Sequence, residues 1–198
     1  MKRLLLSLPM IALTLLFYQC KEAKGKESTD ALEASVISNE ALIKKGEYLV
    51  TSIGCADCHT PKKMTDHGPE PDMDRWMMGY PSGDSLPKID KDEITPGKWL
   101  LFNNDLTAAV GPWGISFAAN LTPDETGLKY WKFENFKRAI REGKFKGLEN
   151  SRPLLPPMPW ENYRNLNDDD LLAMFTYLQS IKPIDNIVPN FVPAAEIK

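Results

Sequence analysis

The sequence predicts a helical domain in which three capped helices are joined by long irregular connections. Apolar residues recur at helical spacing in the first and last of three stretches, and each of the three is ended by a glycine or proline. Sixteen prolines and twelve glycines among 198 residues break up the chain between them. No strand-rich pattern surrounds the most unusual motif in the chain, CADCH at residues 55–59.

The first helix is expected from Ser38, with Asn39 and Glu40 in its first turn, through Val50, ending at Gly54. The middle one covers Lys132 to Glu142 and is stopped by Gly143. For the last, Asn167 is the cap, and Asp168, Asp169 and Asp170 stand in the positive first turn; it runs to about Ile181, before Pro183. Leu171, Met174, Phe175 and Leu178 form its apolar stripe, so Met174 is a core residue. The Pro/Gly-rich segment from Pro61 to Pro123 is expected to lack regular structure.

A composition of 42% hydrophobic and 26% charged residues suits one globular domain, and a net charge of −3 argues against a nucleic-acid binder. Ahead of the domain, Lys2 and Arg3 precede an apolar run from Leu4 to Phe17, interrupted by Ser7, Pro9 and Thr14. That run is shorter than the ~20 residues a membrane span needs, so it reads as a signal peptide. Cys20 follows it, and residues 1–19 resemble a bacterial lipoprotein signal, in which such a cysteine is lipidated and becomes the first mature residue. Gln19 departs from that pattern, where a small residue is usual, and a plain secretory peptide is the alternative. Residues 20–37 are polar and of mixed charge, a flexible tether to a domain at 38–198. The expected place is the periplasmic side of a bacterial membrane, lipid-anchored or else soluble.

With three Cys and two His in the chain, C-x-x-C-H would arise by chance roughly 0.0005 times. Two thiols at this spacing on a turn reach the two vinyl groups on one edge of a porphyrin. The next histidine then lies beneath the iron, so Cys55, Cys58 and His59 read as a covalent haem c site. A redox C-x-x-C would sit in a βαβ pattern, and a zinc site would need all of Cys55, Cys58, His59 and His67. A disulfide across so short a loop would be strained.

The second axial ligand separates an electron carrier from a haem enzyme or a gas sensor. Met64 and His67 follow His59 too closely to reach the opposite face. Met158 lies in RPLLPPMPW, where Pro153, Pro156, Pro157 and Pro159 reduce the ordering entropy of holding a thioether in place. It is the preferred candidate, against core filling as its alternative role. Met73, Met77 and Met78 in PDMDRWMMGYP stay open as rivals.

Three stretches, KGEYLVTSIGCADCHTP, NLTPDETGLKYWKFENFKRAIREG and RPLLPPMPWENYRNLNDDDLLAMFTYLQSIKP, together resemble the class I cytochromes c. The likeness is strongest to bacterial periplasmic cytochromes related to the cytochrome subunits of alcohol and sugar dehydrogenases. It implies an all-α cytochrome c fold, with three main helices around one haem and the first and last helices crossing. Gly46 and Val50 would face Met174 and Tyr177 there. It further implies haem c on Cys55 and Cys58, axial ligation by His59 and Met158, and Trp160 close by. One CxxCH implies one haem. The inserted segment Met64–Gly114 departs from the short loops of small cytochromes c and receives no role from the resemblance.

The function expected is therefore one-electron transfer rather than catalysis. A dehydrogenase, quinol oxidase or terminal oxidase would be the redox partner, and a haem enzyme or gas-binding sensor is the alternative. Seven Lys and Arg between Lys129 and Lys146 could steer an acidic partner, but a solvated helix face is the more ordinary reading. Arg152, Arg164, Trp99 and Trp113 are possible propionate donors.

Overall fold

The computed structural model describes residues 27–197, with side chains from Asn39 onward. The expected signal peptide and Cys20, the expected lipidation site, lie outside the described residues, as does the first part of the expected tether. The chain divides into two units, residues 1–40 and residues 41–198. No helix among the described residues is long and apolar enough to cross a membrane.

The first helix, α1, spans Glu27–Ser52, beginning well before Ser38. Neither proline nor glycine stands between its start and Gly46, so nothing in the sequence stops it earlier. Gly54, at φ +85°, separates it from the single-turn α2, Cys55–His59. The helix α3 (Phe133–Glu142) ends at Gly143, whose φ is +62°. A short α4 follows at Trp160–Tyr163. The last helix, α5, is Asp168–Ser180, and Asn167 accepts the backbone N–H of Asp170 as its cap.

The expected all-α class is not what the structure shows. The described residues hold five helices and six strands in two antiparallel sheets. Strands β1 (Lys62–Thr65) and β2 (Gly68–Pro71) form a hairpin. Strands β3 (Leu101–Phe102), β4 (Ala108–Gly111), β5 (Gly114–Phe117) and β6 (Val192–Pro193) form a sheet in that order. The segment expected to be irregular thus contains most of the strands. They escape the sequence because they are two to four residues long. The buried pair AAVG and GISF also lacks the alternation that marks a half-exposed strand. The partner of β5 on its far side, β6, comes from far along the chain.

Two apolar clusters result. The larger gathers Val50, Ala56, Met77, Leu128, Phe136, Leu171, Met174 and Leu178. The smaller, Ile94, Val110, Ile115 and Ile197, lies on the four-stranded sheet. At the larger one α1 and α5 meet closely: a Cβ on Gly46 would stand 2.0 Å from the carbonyl oxygen of Ala173 and 2.6 Å from the Cβ of Tyr177. Lys45 pairs with Asp170 across the same crossing at 2.6 Å. Phe136 and Phe133 of α3 pack on Phe175 of α5, with ring centroids 5.6 and 6.2 Å apart.

Candidate haem site

The CADCH turn is held both by a neighbouring lysine and by groups distant in sequence. Lys62 folds back so that its Nζ donates to the carbonyls of Asp57 at 2.8 Å and Thr60 at 2.6 Å. This places a positive charge at the C-terminal end of α2, where the helix dipole is negative. Desolvation lowers the pKa of that ammonium, opposed by Asp57 and Asp105. Thr60 is buried, and its hydroxyl accepts the N–H of Met77 at 3.1 Å; Gly79 N donates to the carbonyl of His59 at 2.9 Å. A side chain at Gly79 would collide with Ala118 and Ala119, so the chain leaving β5 runs directly against this turn.

That contact sets the histidine. His59 Nδ1 lies 2.7 Å from the carbonyl oxygen of Ala119. A carbonyl only accepts, so Nδ1 carries the proton and Nε2 keeps its lone pair free. Desolvation lowers the pKa of the imidazole, against the raising effect of the Ala119 bond, which favours the neutral form a metal requires. Cys55 and Cys58 are both half-buried and neither is in a disulfide. Burial pushes the Cys55 thiol up to about 12 and also raises Cys58. Both shifts run opposite to the lowered thiol pKa of a redox C-x-x-C.

The methionine loop approaches the same region. Pro156 and Pro157, joined by a cis peptide, form the centre of a turn closed by Met158 N donating to Leu155 O at 3.2 Å. Met158 is half-buried and packs on the cluster that Cys55 also packs on. Beyond it, Tyr163 donates its hydroxyl to the carbonyl of Ile53 at 2.7 Å, tying the loop to the residues just before Cys55.

The other candidates are distributed differently. Met77 and Met78 are buried, Met77 within the larger cluster, and Met174 is core as its stripe predicts. Met64 and Met73 are largely exposed, and His67 is at the exposed tip of the β1–β2 hairpin. Among the described residues no group of three or more His, Cys, Asp or Glu is arranged to hold a metal ion, so the four-ligand zinc arrangement is not formed. The Trp160 ring lies over Gly143, and Arg164 lies 5.9 Å over that ring. Arg152 stacks on Phe145 at 3.9 Å and Trp113 points to Ser116, while Trp99 is exposed. Much of the basic run is engaged within the molecule: Lys129 pairs with Glu125, and Lys137 and Arg141 with Asp168. Reasoning from sequence did not find Lys62, Ala119 or Tyr163. A backbone carbonyl leaves no trace in sequence, though a tyrosine five residues past Met158 was open to view.

Taken together, a free imidazole Nε2, two unpaired thiols on one turn and a thioether on the same apolar cluster form a donor set that fits haem c. The gluconate 2-dehydrogenase cytochrome c subunit of Pantoea cypripedii is 27% identical over 149 residues, 74% of the chain and 25% of that protein. The cytochrome c subunit of the quinone alcohol dehydrogenase of Gluconobacter oxydans is 28% identical over 149 residues, 74% of the chain and 23% of that protein. The chain is related to the cytochrome c subunits of dehydrogenases. It spans about a quarter of the length of these cytochrome subunits. A shorter match of 79 residues, 40% identical, covers 39% of the chain and 6% of a nicotinate dehydrogenase component of Pseudomonas putida. No family model matches the chain.

Proposed function

We propose that this chain is a mono-haem c-type cytochrome that carries one electron at a time and transforms no substrate. Cys55 and Cys58 hold haem c through thioether bonds, and His59 and Met158 are its axial ligands. When bound, the group supplies a one-electron ferric–ferrous couple. The residues of the chain orient His59, keep its Nε2 unprotonated, and shelter the site with the apolar cluster around Ala56 and Met174. A dehydrogenase or quinol oxidase is the donor, with a terminal oxidase as acceptor. A lipid on Cys20 holds the protein to the periplasmic side of the membrane.

The observation that carries this reading is the 2.7 Å contact from His59 Nδ1 to Ala119 O, which leaves the second ring nitrogen available beside two unpaired thiols. The test is an absorption spectrum of the purified protein beside its Met158→Ala variant. The near-infrared sulfur-to-iron band should be present in the parent and lost in the variant. Carbon monoxide should bind the reduced parent slowly and the variant quickly. A band that survives the substitution would assign the ligand to another methionine, and fast binding by the parent would favour the gas-binding alternative.

A further inference from the structure

The Met158 loop is poor in hydrogen-bond donors, because Pro153, Pro156, Pro157 and Pro159 have no N–H. A segment of this kind can be anchored chiefly through its carbonyls, by donors from elsewhere in the chain. Upstream, Leu154 N donates to Gly143 O at 2.6 Å, and a β-bridge joins Pro153 to Lys144. Downstream lies the Tyr163–Ile53 bond. Between them, at the turn itself, the hydroxyl of Ser116 donates to the carbonyl of Pro156 at 2.6 Å. The carbonyl of Ala109 is 3.4 Å from the same hydroxyl, so the single hydroxyl proton belongs to the shorter bond. Ser116 is a member of β5 and pairs with Ala109 of β4, while β6 covers the opposite edge of β5.

Three residues on, the chain leaving β5 supplies Ala119 O to His59. A continuous stretch, Ser116 to Ala119, thus touches both the histidine ring and the turn that carries Met158. Ala118 N to Thr107 O at 2.8 Å and Tyr80 N to Ala118 O at 3.0 Å stiffen it on either side.

We propose that Ser116 is a positioning residue for Met158: through Pro156 O it fixes the methionine turn to the segment that also fixes His59, and so governs how readily Met158 is displaced from iron. This rests on the reading of Met158 as an axial ligand. It also gives the end of the inserted segment a task, since β4 lies within it and pairs with β5, from which both ligand-bearing pieces are held. A thioether is a weak ligand, so freeing one hydrogen bond at the turn shifts the balance toward any stronger ligand added from solution.

The probe is imidazole, titrated into the oxidised, haem-loaded protein while the near-infrared band is followed. Ser116→Ala should keep the band but bind imidazole about five-fold more tightly, the factor expected for loss of one ordinary hydrogen bond. Ser116→Thr and Ser116→Val differ by a hydroxyl for a methyl and both suit a strand. Thr should match the parent and Val should match Ala, which keeps the comparison available if Ser116→Ala does not load haem. Met158→Ala is measured alongside. Loss of its band, together with equal imidazole affinities for Thr and Val at 116, would overturn the role of Ser116 while leaving the ligand assignment standing. Persistence of the band in Met158→Ala would overturn the ligand assignment, and this proposal with it.

Discussion

Tyr163 shows how a single side chain ties together two pieces that sequence places far apart. Its hydroxyl reaches Ile53 O at 2.7 Å, and burial pushes the phenol up to about 12, with the nearby cysteines adding to the effect. A raised phenol is neutral and a donor across the whole physiological range. Tyr163→Phe leaves the Ile53 carbonyl without this partner and should cost about 1 kcal/mol in denaturant unfolding of the haem-loaded protein. An unchanged midpoint would mean that water takes over the bond. At this scale the motif CADCH was fully legible, because its rarity lies in side chains. Ala119 was not, because every residue has a carbonyl and only the fold selects which one meets Nδ1.

At the scale of elements, the α1–α5 crossing depends on Gly46. A methyl there would stand 2.0 Å from a backbone oxygen of Ala173, an atom that cannot swing aside. Gly46→Ala should therefore separate the two helices and destabilise the protein by about 3 kcal/mol or more, read as a lowered Tm or as failure to load haem. The gain in helix propensity from glycine to alanine, about 1 kcal/mol, works the other way and is too small to win. The positions of α3 and α5 agree with their caps and stops in the sequence to within a residue or two. Gly143, Asn167 and the aspartates after it are local signals that need no tertiary partner. The four-stranded sheet is the opposite case. Leu101–Phe102 and Val192–Pro193 are too short to carry a period, and each is a strand only because β4 or β5 lies beside it.

Across the whole molecule, charge links elements that apolar packing has already brought together. Asp168 at the start of α5 accepts Lys137 Nζ at 2.6 Å and pairs with Arg141, both from α3. The bond from Lys137 holds its carboxyl below the ordinary carboxylate range, with Arg141 acting in the same sense. A depressed folded-state pKa contributes stability that is fully present above the unfolded value and is lost as pH falls through the folded one. The Tm of the parent should therefore exceed that of Asp168→Asn at neutral pH. The difference should close as pH drops below about 4, the ordinary aspartate value. A gap that persisted at pH 2 would show that the pair is not the cause.

Asn186 and β6 have a consequence for the order in which the molecule assembles. The buried amide of Asn186 donates to Met78 O and Tyr80 O, accepts Ser82 N, and leads the chain toward the strand that completes the sheet. In chain order the CADCH turn stands far ahead of these groups. Until they arrive, the 77–82 segment lacks the amide that cross-links it, and β5 has one open edge. Contacts so distant in sequence carry a loop-closure cost that local contacts avoid. The 77–82 segment and the open edge of β5 are thus completed only when residues 186–193, near the far end of the chain, are in place.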